Sequence, residues 1–322
     1  MQPLLHIYSG HQAQVGSLAW SPDGTRLVSG SADGTARVWQ VSSGEPLVSY
    51  RGHQGRVYSV AWSPDGGWIA SAGEDTTVHL WEPGGTPLLM YQGHSAWIRR
   101  ALAWSPDSRL VASGSWDRTV QVWEAASGKR LLTYRGHEGV VCALAWSPDG
   151  RWLASAGGAP DKTVQVWDAA SGERLLTYRG HQRSVHGVAW SPDGRSIVSV
   201  GLGGADGARR WEVSTGEDWL SYDLSGETLA WSPDGKRLAT VSVMLSLVEV
   251  WDADSGQKLV QQDSQWSPDH ENLVQALAWS PNGEWLAGGG DGCDREGVGS
   301  GSHAESRRGV GQARESKSRD KA

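Results

Sequence analysis

Histidine, serine and aspartate recur together along this chain at fixed distances from one another. These are the residue types of a catalytic triad, in which serine is the nucleophile, histidine the base, and aspartate orients the histidine. The first set is His11, Ser29 and Asp33, and similar sets follow about every 42 residues. Catalysis needs one exposed nucleophile in one pocket, whereas repeated copies indicate a structural role. We therefore predict that the sets are not catalytic and that the protein is not an enzyme.

The element that must position these residues is a repeated unit. The phrase Ala-Trp-Ser-Pro-Asp-Gly, or a close variant, occurs seven times. Its tryptophans are Trp20, Trp62, Trp104, Trp146, Trp190, Trp231 and Trp279. A fixed period of this length indicates a repeat architecture. Proline fixes φ at the second turn position and glycine accepts a positive φ, so the phrase predicts a tight hairpin turn.

Each unit also contains four short runs rich in Val, Leu, Thr, Trp and Tyr, bounded by Gly, Pro, Asp or Ser. In the third unit these runs are ALAW, RLVASGS, TVQVWE and KRLLTY. They are strand and hairpin signals, and no stretch shows a convincing helical period. Four antiparallel strands repeated seven times predict an all-β fold, a seven-bladed β-propeller.

Four residue types recur together at fixed offsets in these units. Gly-His opens five of them, a serine follows the repeat tryptophan by nine residues, and an aspartate precedes a second tryptophan by six. In this combination the chain resembles the WD-repeat (tryptophan–aspartate) propeller family over about residues 2–290. Tryptophan replaces the usual phenylalanine, which resembles bacterial members of the family.

The resemblance implies a buried hydrogen-bonded set of His, Ser, Asp and Trp in each blade, which would satisfy polar groups that are costly to bury. The sets expected here are His11/Ser29/Asp33/Trp39, His53/Ser71/Asp75/Trp81, His94/Ser113/Asp117/Trp123 and His137/Ser155/Asp161/Trp167. The fifth unit keeps His181 and Ser199 but departs at Asp206, which stands five residues before Trp211 instead of six. Its set is therefore left open.

The sequence predicts two regions, a propeller over residues 1–290 and a tail over 291–322. Residues 3–8 are expected to close the last blade, as the N-terminal strand does in the family. The sixth and seventh repeats are degenerate, and no third-strand pattern follows Gly290, so blade seven is expected to be incomplete. A weak tail segment that fills the gap, or a frameshift or truncation past Gly290, are alternatives. The polar, Gly- and Ser-rich composition of the tail predicts disorder.

Composition excludes several classes. A net charge of -7 argues against a nucleic-acid binder. The N-terminus lacks the features of a signal peptide, and no apolar run approaches the roughly 20 residues of a membrane helix. Cys142 and Cys293 lie in unrelated contexts, so no zinc site or disulfide framework is indicated. We expect a cytoplasmic monomer that requires no metal or cofactor and binds neither nucleic acid nor membrane.

Function is expected on the face where the Gly-His loops and the Asp turns come together. Aromatic and arginine residues, which are enriched in binding hot spots, concentrate there in the second and third units. The candidate partner-binding residues are Arg56, Tyr58, Glu74, Trp97, Arg99, Trp116 and His186. The sequence thus predicts a non-catalytic scaffold that binds a protein or peptide. The alternatives are a small-ligand or carbohydrate-binding propeller, or a regulatory module for a separately encoded kinase or nucleotidase.

Overall fold

The computed structural model describes residues 4–202, 206–222, 228–242, 247–263, 274–290 and 309–314. For residues 4–7, 242, 262–263 and 309–314 it describes the backbone alone. All the secondary-structure elements longer than one residue in these ranges are β-strands, which confirms the all-β prediction. The described residues contain no helix of the length and hydropathy needed to cross a bilayer.

Six four-stranded antiparallel sheets are each built from consecutive strands, and β1 (Leu4–Ser9) precedes them. The first three sheets comprise β2 Val15–Trp20, β3 Arg26–Ser31, β4 Ala36–Gln40 and β5 Pro46–Tyr50; β6 Val57–Trp62, β7 Ile69–Gly73, β8 Val78–Trp81 and β9 Pro87–Tyr91; and β10 Leu102–Trp104, β11 Leu110–Gly114, β12 Val120–Glu124 and β13 Arg130–Tyr134. The next three comprise β14 Val141–Trp146, β15 Trp152–Gly157, β16 Val164–Asp168 and β17 Arg174–Tyr178; β18 Val185–Trp190, β19 Ser196–Gly201, β20 Ala208–Glu212 and β21 Asp218–Tyr222; and β22 Leu229–Trp231, β23 Arg237–Ser242, β24 Leu247–Asp252 and β25 Lys258–Asp263.

The last sheet draws on both ends of the chain. Its inner pair is β26 (Val274–Trp279) and β27 (Trp285–Gly290). The backbone of β28 (Gly309–Arg314) pairs with β27, and β1 pairs with β28. The sequence predicted an incomplete blade or, as an alternative, a weak tail segment in this third place; the backbone of a tail segment, GVGQAR, occupies it. The remaining residues of the predicted tail, 291–308 and 315–322, lie outside the described residues.

The inner strands meet in a ring. Strand β2 contacts β6 on one side and β26 on the other, so the first and last sheets adjoin. Together the inner strands line a central channel of about 160 Å³. Each sheet is therefore covered on both faces by its neighbours, which explains why strands such as β16 are apolar without strict alternation.

The repeated Ala-Trp phrase fastens neighbouring sheets together. In five units the indole N–H donates to the main-chain oxygen of the phrase alanine in the sheet before it around the ring, at 2.9–3.3 Å. The five donors are Trp20, Trp104, Trp146, Trp190 and Trp279. Trp62 donates instead to Gly66 in its own turn. The indole N–H of Trp231 has no hydrogen-bond partner among the described residues.

The core lies between sheets. Tyr50, at the end of the first sheet, stacks on Trp81 of the second at 4.7 Å between ring centroids, and three later seams repeat this pairing. Trp68 contacts Trp104 of the following sheet edge to face at 6.1 Å. Trp68 therefore packs in the seam between the second and third sheets. Each hydrophobic cluster among the described residues draws on two neighbouring sheets, so packing between repeats contributes to every part of the core.

Candidate partner-binding face

Four hydrogen-bonded sets tie each Gly-His loop to the Asp turn of its own sheet. In the first, Nδ1 of His11 lies 2.9 Å from the Asp33 carboxylate and Nε2 lies 2.7 Å from the Ser29 hydroxyl. The Trp39 indole N–H donates to the same hydroxyl at 2.7 Å. The sets of His53, His94 and His137 repeat this arrangement, with His–Asp distances of 2.5–2.8 Å and His–Ser distances of 2.7–2.9 Å. The structure thus brings together all sixteen residues that the resemblance assigned to these sets.

The donors and acceptors in a set fix its proton arrangement. An indole N–H can only donate, so Ser29 accepts from Trp39 and its own O–H is directed to His11. Nε2 of His11 then accepts, and Nδ1–H donates to Asp33. The Ser29 side chain is fully buried. This hydroxyl holds an indole in the core and presents no exposed nucleophile.

The serines and tryptophans of the other three sets also lie in the core and not on the face itself. Ser71, Ser113 and Ser155 have no exposed surface, and neither has Trp167. The three hydroxyls accept the indole N–H of their own sheet at 3.1, 3.4 and 3.0 Å respectively. These residues differ in this respect from the surface candidates, because neither a partner nor a substrate can reach them. Ser71, Ser113, Ser155 and Trp167 are therefore part of the buried core of their blades in this structure.

The electrostatics favour the charged form of the aspartates in the four sets and, in the first set, the neutral form of the histidine. Burial alone would raise the pKa of Asp117, but hydrogen bonds from His94 and Thr119 outweigh burial and hold that pKa well below its usual range. Burial lowers the pKa of His11, although neighbouring Asp33 opposes this effect. The carboxylates therefore act as fixed acceptors that hold the loops of this face in place.

The fifth set is loosened, at the position where the spacing changes. The Ser199 hydroxyl still lies 2.8 Å from Nε2 of His181 and accepts from Trp211 at 3.1 Å. Nδ1 of His181 lies 3.4 Å from Asp206, however, and has no hydrogen-bond partner among the described residues. Asp206 instead accepts the main-chain N–H groups of residues 182 and 183. The missing residue before Trp211 has moved the carboxylate away from the ring.

A second histidine, missed by the sequence analysis, joins the second set. The ring of His79 lies 4.0 Å from that of His53, and its Nδ1 lies 2.8 Å from the Tyr50 hydroxyl. Burial, and then the neighbouring His53, lowers the pKa of His79 to about 4. Donor atoms of His53, Asp75 and His79 lie within 4.8 Å of one another, but hydrogen bonds engage Nδ1 of both histidines. The sequence feature that could have revealed His79 is its position, because the next two repeats have glutamine there, Gln121 and Gln165.

Three aromatic side chains adjoin on the face that carries the Gly-His loops. The ring centroid of Trp97 lies 6.0 Å from that of Tyr58 and 5.0 Å from that of Trp116. The Arg99 guanidinium lies 5.9 Å from the Tyr58 ring, at the limit of a cation–π contact. Trp97 remains 37% exposed. We call Tyr58, Trp97 and Trp116 the aromatic row.

The other candidates lie at the two ends of the aromatic row. The main-chain N–H of Arg56 donates to the Glu74 carboxylate at 3.2 Å, and their side chains form a loose surface ion pair at 4.0 Å. At the opposite end, His186 lines a cavity of about 230 Å³ together with Arg99 and Trp116. The sequence-predicted residues therefore occupy a face running from the second sheet to the fifth.

Arg99 is followed by an additional residue, Arg100. His94 precedes Trp104 by ten residues, where the other four Gly-His units have nine. Arg100 adopts a positive φ of 61° and donates from Nη2 to the main-chain oxygen and the amide oxygen of Gln275, both at 3.3 Å. The insertion thus turns one arginine toward the channel while Arg99 lies beside the aromatic row.

Comparison with known proteins agrees with this architecture. Curated relatives include THO complex subunit 3 from Arabidopsis thaliana (53% identical over 34 residues), Striatin-4 from Homo sapiens (51% over 43) and the ribosome biogenesis protein BOP1 homolog from Monosiga brevicollis (53% over 38). These stretches cover 11–13% of this chain, and the chain spans only 5–11% of the length of each relative. The family model described as WD domain, G-beta repeat matches residues 2–40, 44–82, 85–124, 128–168, 172–208 and 263–295. Since these segments make up more than half of the sequence, the chain belongs to the WD-repeat family.

Proposed function

We propose that this chain is a non-catalytic scaffold that binds a protein or peptide segment on the face formed by the Gly-His loops and the Asp turns. The observation that carries the proposal is the aromatic row with Arg99 beside it. Tryptophan, tyrosine and arginine are enriched among the few residues that supply most of the binding energy in protein interfaces. The aromatic row and Arg99 together supply all three residue types, on strand β6 and on the adjoining loops of the third sheet.

The loops that carry the aromatic row are held before any partner arrives. In the third set, His94 and Asp117 are joined by a hydrogen bond of 2.8 Å. Trp97 follows His94 by three residues, and Trp116 directly precedes Asp117. The main-chain N–H of Trp116 also donates to the oxygen of Trp97 at 2.9 Å. Because little conformational freedom is left to lose, binding at this row costs less entropy than binding at a flexible loop.

The cavity beside the row favours a partner's side chain over a whole small molecule. Its volume of about 230 Å³ is below the ~300–1,000 Å³ typical of ligand pockets. A residue of a bound segment could fill it while the rest of the segment lies over the row. This argues against the small-ligand or carbohydrate alternative. A separately encoded kinase or nucleotidase remains one kind of protein partner within the proposal.

The rest of the proposal concerns the whole molecule. We propose a bacterial-type propeller of seven blades, formed by residues 1–290 together with strand β28 and closed by the N-terminal strand. We propose that it acts as a cytoplasmic monomer without cofactor or metal, and that nucleic acid and membrane are not its partners. The name of THO complex subunit 3 places that relative in a protein complex, which is the setting proposed for this chain.

A displayed library of random peptides tests the proposal. Peptides selected on the wild-type protein should lose about 30-fold in affinity when Trp97→Ala and Arg99→Ala are combined, the equivalent of ~2 kcal/mol. Trp219→Ala is the matched control, because it removes a 48% exposed indole on β21, away from this face. It should leave affinity unchanged, and the melting temperature of both variants should show that they are folded. Equal affinity of the wild type and the double variant would refute the proposal.

A further inference from the structure

The last sheet lacks the tryptophan that locks the other six. In each of those sheets a buried tryptophan of the third strand pairs with an aliphatic residue of the second strand. The pairs are Leu27/Trp39, Ile69/Trp81, Val111/Trp123, Leu153/Trp167, Ile197/Trp211 and Leu238/Trp251. In the last sheet the partner of Leu286 is Ala313. Strand β28 therefore brings no indole to this seam.

Two further partners of that indole are missing at the same place. Gly288 stands where the other sheets have the serine or threonine that accepts the indole N–H, and it pairs with Gly311. The preceding sheet also lacks the tyrosine that contacts the indole of the next sheet in the other seams. In the fifth sheet Tyr222 pairs with Ala208, and at the equivalent position of the sixth sheet Gln262 pairs with Val248. Hydroxyl, indole and tyrosine have been lost together.

The exposure of Leu286 reflects this loss. The six aliphatic residues at the equivalent position are completely buried, whereas Leu286 is 8% exposed. The β26–β27 pair is nevertheless firmly held in the ring. Trp279 donates to the oxygen of Ala230 on one side, and Ala278 accepts from Trp20 on the other, at 3.1 and 2.9 Å. The pair is a preformed sheet whose outer neighbour is a poor match.

The length of the connection to β28 further weakens its hold on this place. Four to six residues join the second and third strands in the other sheets, whereas residues 291–308 separate β27 from β28. Closing a longer loop costs more conformational entropy. Glycine has a low strand propensity, and β28 contributes Gly309 and Gly311. A better-fitting strand on another chain could therefore compete with it.

We propose that the third place in the last sheet is a docking slot for an extended segment of a protein partner, which displaces β28 and pairs with β27. The segment would carry β-branched residues and a tryptophan that lies opposite Leu286, as in the sequence TVQVWE of residues 119–124. Main-chain hydrogen bonds would supply affinity, and the indole would supply specificity, as in other cases of strand addition. This slot is separate from the aromatic row.

The experiment uses a fluorescein-labelled TVQVWE peptide as the probe and the full chain as the receptor. Fluorescence anisotropy should show saturable binding with a micromolar dissociation constant. The same peptide with Trp123→Ala should bind at least 10-fold more weakly. Failure of the first peptide to bind, or equal binding of the two, would overturn the proposal.

A closing variant tests where the probe binds. Gly288→Ser combined with Ala313→Trp gives the chain's own tail the missing hydroxyl and indole. It should raise the melting temperature and abolish probe binding. Arg314→Trp is the matched control, because successive residues of a strand face opposite sides and this indole is directed away from Leu286; probe binding should persist. Three outcomes would each contradict a slot that a partner fills. The closing variant could still bind the probe, or it could have a lower melting temperature than the wild type. The wild type could also form a concentration-dependent dimer that the closing variant does not form.

Discussion

Nη2 of Arg100 lies 3.3 Å from the main-chain oxygen of Gln275, so the third sheet contacts the first strand of the last sheet across the central channel. The arginine that makes this contact is the residue inserted after Arg99. Its positive φ turns the chain out of the strand, and β10 begins only at Leu102. The insertion shortens one strand and gives the degenerate last sheet an additional support.

Arg100→Ala should loosen strand β26. The variant removes two hydrogen bonds to Gln275, and we expect about 1 kcal/mol less local stability. Hydrogen–deuterium exchange of residues 274–279 should accelerate severalfold, while exchange in β14 stays unchanged. Arg99→Ala is the control, since it leaves the contact intact. Equal exchange of β26 in both variants would show that the contact does not support the strand.

Asp117→Ala should destabilise the fold by about 1–3 kcal/mol, because it leaves His94 and the main-chain N–H groups of Ser95 and Thr119 without their acceptor. Thermal unfolding followed by circular dichroism should show a melting temperature several degrees lower. Glu173→Ala, at an exposed turn, should change little. An unchanged melting temperature of the Asp117 variant would contradict a structural role of the set.

His79 should make stability depend on pH below neutrality. Its pKa of about 4 lies below the ~6.5 of an unfolded histidine, so the unfolded chain takes up a proton that the folded chain resists. The stabilisation is complete above about pH 6.5 and is lost as the pH falls toward 4, by roughly 1–2 kcal/mol at pH 5.

The variant His79→Gln tests this pH dependence. Gln121 accepts from the Tyr91 hydroxyl at the equivalent position, so glutamine can preserve the bond that His79 makes with Tyr50. Urea unfolding at pH 7.5 and at pH 5 should show a smaller loss of unfolding free energy for the variant than for the wild type. The same loss in both proteins would assign the pH dependence to other groups.

The phrase tryptophans should differ in what their indole N–H contributes. Trp190→Phe removes the hydrogen bond to Ala145 at 3.1 Å, whereas Trp231→Phe removes an N–H that lacks a partner among the described residues. We expect the first substitution to cost ~1 kcal/mol more than the second. Chemical denaturation of both variants measures the difference. Equal losses of unfolding free energy in the two variants would mean that the hydrogen bond between the sheets does not contribute to stability.

The repeat period and the residue offsets predicted much of this structure. Strands bounded by Ser-Pro-Asp-Gly turns, and sets such as that of His137, depend on local patterns that recur in every unit. The open question at Asp206 was also visible in the sequence, because one missing residue displaces a carboxylate.

Other features depend on neighbours in space and could not be predicted. Strand β28 has a weak pattern, and its place is set by the unpaired side of β27. His79 and His53 are 26 residues apart and meet only through strand register. The sequence shows that Arg100 is an insertion, but the contact of its side chain with Gln275 depends on the local backbone conformation.

At five of the seven seams, a tryptophan of the repeated phrase donates its indole N–H to the main-chain oxygen of the alanine in the neighbouring unit. The contact by which one unit recognises its neighbour is therefore the same at these five seams. A gene that duplicates or loses one segment of about 42 codons would still encode matching seams on both sides. Such recombination could reshuffle the binding loops around the ring without inventing new contacts, so the uniform seam makes the variable rim modular.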